Sequence, residues 1–163
     1  MIKMGELILS DFFTTKSQAN NFLAQLNAVT EKIFDLDFNL ETSVRSQFGA
    51  KKTDRFISLV RENEIPPESG MALNNFLNHI KEVVSSLPVA TIAFAIEPNE
   101  QILKNVSDWF ILNLKKQVLI EPEIDHNLIA GTVVSYQGKR LDSSVKSVFE
   151  QTCANIFQNT PVK

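Results

Sequence analysis

Asp125 and His126 stand side by side, and Asp142, Ser143 and Ser144 follow within twenty residues. A hydroxyl nucleophile, an imidazole base and an orienting carboxylate are the parts of a hydrolytic triad, so the cluster raises the possibility of a small enzyme using Asp125, His126 and Ser144. That reading requires the three side chains to converge in a pocket. A purely local reading uses the same residues otherwise: Asp125 bonds nearby amides to cap a turn, His126 faces solvent, and Asp142 or Ser143 caps a helix. The residue types favour the local reading. The remaining chemistry is sparse, since two histidines and the lone Cys153 offer no metal-ligand spacing, and His79 sits in a helix whose apolar face is filled without it. Gly131 and Gly138 are seven residues apart and lack both the Gly-x-Gly-x-x-Gly order and a Gly-Lys-Ser/Thr ending, so no phosphate loop is read there. The pairs Lys51-Lys52 and Lys115-Lys116 read as solvated charge, with a recognition role as the lesser alternative. No catalytic residue, cofactor or metal is expected.

Composition narrows the class further. The chain has 163 residues, 44% of them hydrophobic, enough for a core of ordinary size in one domain or two small ones. A net charge of -3 and the absence of long basic runs argue against nucleic acid or an anionic membrane as the main partner. The apolar runs, such as Ile92 to Ile96, are far shorter than the roughly 20 residues that span a bilayer. Residues 1 to 10 lack the basic and apolar regions of a signal peptide, and a single cysteine suits a reducing, cytoplasmic setting. Twelve phenylalanines against one Trp and one Tyr point to aromatic core packing.

Periodicity then places the elements. Ser17 is a candidate N-cap for a helix with Phe22, Leu23, Leu26, Val29, Ile33 and Leu36 on one face. Leu40 to Phe48 reads as a helix ended by Gly49, and Thr53 as the cap of another carrying Phe56, Ile57, Leu59 and Val60. Pro66-Pro67 stops it. Ser69 to Leu87 resumes the helical period, and Pro88 closes it. From Val89 the pattern changes to a short β-branched run, Thr91 to Ile96, that reads as a strand. Asn99 caps a helix bearing Ile102, Leu103, Val106, Phe110 and Leu114, with Trp109 at the border of that face. Val118, Ile120 and Ile124 form a second strand, where Pro122 suggests an edge position. Strand, crossover helix and strand imply a parallel, right-handed unit. Leu128 to Tyr136 reads as a third strand turning at Gln137-Gly138-Lys139, and a last helix carries Val145, Val148, Phe149, Thr152 and Ile156. The expected class is α+β: an N-terminal helical bundle over 1-87, then a small α/β domain of order β-α-β-β-α over 88-163.

The stretch from Asp125 to Val145 carries a more specific signal. Asp125, Leu128, Ile129, Gly131, Gly138, Asp142 and Ser144 fall in an order and spacing that resembles the C-terminal signature of the F-type ATP synthase delta subunit, whose mitochondrial counterpart is the oligomycin sensitivity-conferring protein. The likeness runs from about Thr91 to Ser147. Two positions depart, Ala130 and Ser143, each standing where the family usually has glycine. Glycine is needed only where φ is positive or a backbone must approach closely, and Ala130 is read as lying within a strand, where a methyl group is tolerated. The resemblance implies a non-catalytic peripheral-stalk subunit of a proton-translocating synthase, placed on the cytoplasmic face of a bacterial membrane and attached to it indirectly. It implies α-subunit N-termini as partners of residues 1-87 and the b subunit as partner of the C-terminal domain, the seven motif residues being structural. The family's N-terminal bundle has six helices, and residues 1 to 87 offer at most five, so a reduced bundle is expected. The alternative from another class is a cytosolic adaptor with a delta-like module.

Overall fold

A computed structural model describes residues 9–144. The elements run α1 (Lys16–Lys32), α2 (Leu40–Glu62), α3 (Gly70–Ser86), β1 (Val89–Phe94), α4 (Glu100–Leu114), β2 (Leu119–Ile124), β3 (Thr132–Tyr136) and β4 (Lys139–Asp142). Helices precede a small mixed sheet, as the α+β class requires. The final helix read over Val145 to Ile156 lies outside the described residues.

Local chemistry explains where the helices start and stop. The cap of α1 is Thr15 and not Ser17, because Thr15 has Gln18 three residues on: the Thr15 side chain accepts from the Gln18 amide at 3.2 Å, and Gln18 Oε1 accepts from the Thr15 amide at 3.3 Å. The helix ends at Lys32 with Ile33 as a buried C-cap, so the apolar stripe stops there and Leu36 is fully exposed in the turn that follows. Within α2, Gly49 has φ +73° and ψ 167° and breaks the helix where a stop was expected. Thr53 is not the cap of the next segment. It lies inside that segment, buried, and its hydroxyl donates to the Gly49 carbonyl four residues back at 2.7 Å. Ser69 caps α3 by accepting from the Ala72 amide at 3.3 Å, and α3 ends in extended backbone at Leu87, just before Pro88.

The helices close on a phenylalanine cluster. Phe22 of α1 lies 5.2 Å from Phe12, 5.1 Å from Phe13 and 5.3 Å from Phe48 between ring centroids, and Phe48 stacks on Phe56 at 5.5 Å. Leu73, Phe76, Leu77 and Ile80 of α3 complete this core, all four fully buried. A second, smaller core sits between α4 and the sheet, built from Ile92, Phe94, Leu103, Phe110, Val118 and Ile120.

The strand order is β2-β1-β3-β4, with β1 parallel to β2 and antiparallel to β3, and β3 antiparallel to β4. The parallel β1-α4-β2 unit and the edge position of Pro122 match the sequence. The Ile120 amide points away from β1, donating to the Thr14 carbonyl at 2.9 Å. Backbone groups two residues apart face the same way in a strand, so an amide at 122 would also point outward and proline removes no ladder bond. Several strand boundaries and one strand differ from expectation: β1 begins at Val89 and β2 at Leu119. β1 ends at Phe94, leaving Ile96 exposed, and β3 begins at Thr132, not Leu128. β4 was not foreseen, because all four of its residues are solvent-exposed and two are basic.

The helical part and the sheet are joined by more than the chain at residue 88. Gln117 is buried and its amide group spans two backbone groups of the segment before α1: Oε1 accepts from the Leu9 amide at 2.7 Å, and Nε2 donates to the Phe13 carbonyl at 3.3 Å. Thr15 and Ile120 form a parallel bridge, Lys16 pairs with Glu121 at 2.9 Å, and Leu119 of β2 packs in the helical core.

Candidate functional site

The chemistry-bearing residues of the 125–144 stretch turn out to shape the backbone. Asp125 follows β2 directly, and its amide donates to the Phe94 carbonyl at 2.9 Å, holding the loop to the end of β1. Its Oδ1 accepts from the Asn127 amide at 2.9 Å and from Asn127 Nδ2 at 3.0 Å, while the Leu128 amide donates to the Asp125 carbonyl at 3.0 Å. These bonds make an Asx turn. The Asn127 amide, then the Asn127 side chain, hold the Asp125 carboxyl below its ordinary range, with smaller contributions from His126 and Arg140. His126 is exposed on the turn, and Ile129 and Ala130 are exposed after it. Ala130 is therefore not in a strand, since the turn and the positive φ at Gly131 delay extended backbone until Thr132.

Gly131 and Gly138 serve different needs. Gly131 has φ +91°, and a Cβ built on it would meet the Ser143 carbonyl oxygen at 2.4 Å and Ser144 Cα at 2.8 Å. Both of glycine's virtues are used there. Across from it the Ser143 amide donates to the Thr132 carbonyl at 2.9 Å, extending the β3-β4 ladder. Gly138 follows Gln137 in a two-residue loop between the paired residues Tyr136 and Lys139, with φ +48° at Gln137 and +75° at Gly138. Positive φ at both positions is the type I′ hairpin, which matches the twist of the strands it joins. Asp142 Oδ1 accepts from the Ser144 amide at 2.9 Å, and Ser144 is buried. Asp125, His126 and Ser144 are not among the residues that line three cavities formed by the described residues, of about 400, 480 and 330 Å³.

The feature best suited to recognition is apolar. A groove of about 400 Å³ opens between α4 and the sheet, walled by Ile102, Val106, Trp109 and Phe110 on the helix and by Ile92, Val134 and Leu141 on the strands. Trp109 and Leu141 are 56% and 63% exposed, far more than side chains of their size in a finished core. Trp109 is propped edge-on against Phe110 at 5.4 Å, and Phe110 lies 5.9 Å from Tyr136. Sequence reading put Ile102, Val106 and Phe110 on one face of α4 with Trp109 at its border. It missed Leu141, because β4 was not recognised.

A family model described as ATP synthase delta (OSCP) subunit matches residues 9–155. The chain belongs to this family. The match takes in the helical part as well as the sheet, so the delta family accounts for the N-terminal region that the motif alone did not reach. A protein named ATP synthase subunit delta from Pseudothermotoga lettingae is 28% identical over 120 residues, covering 72% of this chain and 65% of the relative. Another of that name, from Thermosipho africanus, is 29% identical over 69 residues, covering 42% of this chain and 38% of the relative. The chain thus spans less than two thirds of the length of either delta relative. A chain in the cryo-EM structure of the Toxoplasma gondii mitochondrial ATP synthase hexamer aligns over 90% of this chain and 91% of its own length at 14% identity, with a TM-score of 0.41, a loose likeness from which no argument follows.

Proposed function

We propose that this chain is a non-catalytic stator subunit of an F-type, proton-translocating ATP synthase, linking the catalytic head to the b subunits of the membrane sector. The observation that supports this most directly is the delta-family match over residues 9–155. A subunit of this kind transmits force and needs no reactive centre, in keeping with motif residues Asp125, Gly131, Gly138 and Asp142 that act on the backbone. In this reading the C-terminal domain, 88-163, receives the b subunit, and the groove beside Trp109 suits the apolar face of a partner helix. The N-terminal domain, 1-87, receives the N-terminal helices of the α subunits. No helix among the described residues is long and apolar enough to cross a membrane, and association with the cytoplasmic face of a bacterial membrane is through the synthase.

The test is co-purification with the α-subunit N-terminal peptide and, separately, with the C-terminal soluble segment of b from the same genome. Capture of both is the expected result. Capture of b alone would restrict the role to the C-terminal domain, and capture of neither would replace it with the adaptor reading.

A further inference from the structure

We propose that the cleft where α2, residues 10 to 14 and the first turns of α4 meet is a binding site for a polyphosphate anion. The cleft has a volume of about 480 Å³, and four cations line it: Lys51, Lys52 and Arg55 from α2 and Lys104 from α4. Asp11 and Glu100 are its two carboxylates. A quarter of the chain's basic residues, four of 16, therefore meet at one concavity of a protein whose net charge is -3. Asp11, Glu100 and Glu62, which also pairs with Arg55, offset three of the four, so among the described residues the cleft keeps one net positive charge.

The cations divide into two that build the cleft and two that are left to serve it. Lys52 Nζ donates to the Phe12 carbonyl at 2.8 Å, tying α2 to the segment before α1. Arg55 is held between Asp11 and Glu62, each at 3.1 Å. Lys51 and Lys104 make no hydrogen bond or ion pair among the described residues, and both are exposed. They come from different elements, α2 and α4, and both line the cleft. Lysine binds phosphate as a point charge on a flexible stem, without the fixed fork of arginine, and a pair of such groups suits an anion with charge distributed along its length. Glu100 sits in the first turn of α4, where the helix dipole favours a carboxylate and lessens its repulsion of the ligand. The volume exceeds what a lone orthophosphate fills, and linked phosphates are the anion that would use it.

The site does not depend on the stator reading and is tested on the full chain alone. Isothermal titration calorimetry would compare pyrophosphate, ATP, orthophosphate and sulfate at one ionic strength, because exposed charge pairs are screened by salt. The expected result is that pyrophosphate and ATP bind at least about tenfold more tightly than orthophosphate or sulfate, that Lys51→Ala/Lys104→Ala loses about tenfold or more, and that Lys51→Arg/Lys104→Arg keeps most of the affinity. Lys115→Ala/Lys116→Ala removes the same charge elsewhere and should bind as the parent does. Equal affinity for pyrophosphate and ATP would mean that the phosphate chain alone is read, and tighter ATP that the nucleoside adds contacts to the same site. Equal binding of sulfate and pyrophosphate, unchanged binding by Lys51→Ala/Lys104→Ala, or no binding at all would overturn the proposal.

Discussion

Gly131 and Gly138 both have positive φ, yet they differ in what surrounds them, and the difference is measurable. At Gly138 a new Cβ would meet nothing within 4 Å, so Gly138→Ala bears only the conformational cost, about 1 kcal/mol. At Gly131 the same methyl would strike the Ser143 carbonyl, and relieving that clash means parting the end of β3 from Ser143 and Ser144. Gly131→Ala should therefore lose about 2–4 kcal/mol, by strain plus steric repacking. Urea unfolding of the two variants checks the order, and equal losses would remove the close-approach argument. Asp125 gives a prediction with a sign. Its folded pKa lies below the ordinary 3.8, so the carboxylate's stabilisation is present above that value and is lost as pH falls through the lower, folded one. The stability gap between the parent and Asp125→Asn should accordingly be constant near neutrality and close in the acid range below about pH 4, as read from unfolding midpoints against pH. The motif residues were legible in sequence because Asx turns and glycine turns are local events. What sequence could not supply was the reason for Gly131, since its neighbours Ser143 and Ser144 lie twelve and thirteen positions away.

Elements were legible where start and stop signals are local, and the departures have identifiable causes. Ser69, Asn99 and Pro88 act at their own positions, and the helices obey them. Ser17 was a plausible cap until Thr15 was paired with Gln18, a three-residue relation that outranks the single residue. Leu128 and Ile129 read as the beginning of a strand because hydrophobic runs are read as extended, but the Asp125 turn runs into half-buried Leu128 and exposed Ile129, and extended backbone waits until Thr132. β4 offers no apolar alternation, and only pairing with β3 makes it a strand. The caps make a direct test. Asn99 Oδ1 accepts from the Ile102 amide at 2.9 Å, and Asn99→Ala should cost about 1 kcal/mol while Asn99→Asp or Asn99→Ser retains most of the stability. Because α4 forms one wall of the apolar groove, chemical denaturation followed by far-ultraviolet circular dichroism would report both the loss and its rescue.

At the scale of the whole molecule, the helical part and the sheet are coupled by a few long-range groups that a sequence cannot announce. Gln117 lies 108 residues from Leu9 and 104 from Phe13, and no local pattern marks it as the clasp between them. Gln117→Leu would leave the Leu9 amide and the Phe13 carbonyl buried without this partner, at about 1–3 kcal/mol for each group that finds no water. If the clasp makes the two parts one cooperative unit, the variant should unfold in two steps or over a broader transition, and a single sharp transition would show that the Leu119 and Thr15 contacts suffice. The groove on the other side of the sheet region poses the complementary question of what the molecule presents outward. Trp109 is the chain's single tryptophan, more than half exposed and supported by Phe110 without being part of the buried core. Removing it should cost the free protein little, because an exposed ring has little burial to lose. A helix seated in the groove would desolvate that ring, and a central aromatic of this kind can contribute 2 kcal/mol or more to an interface, about a thirtyfold change in affinity. Titration with the b-subunit segment should thus shift Trp109 emission to the blue, and Trp109→Ala should weaken the same complex by about thirtyfold while leaving the unfolding midpoint nearly unchanged. Tight binding with no change in Trp109 emission would place the b contact on another surface of the delta-family chain and leave the groove without its proposed occupant.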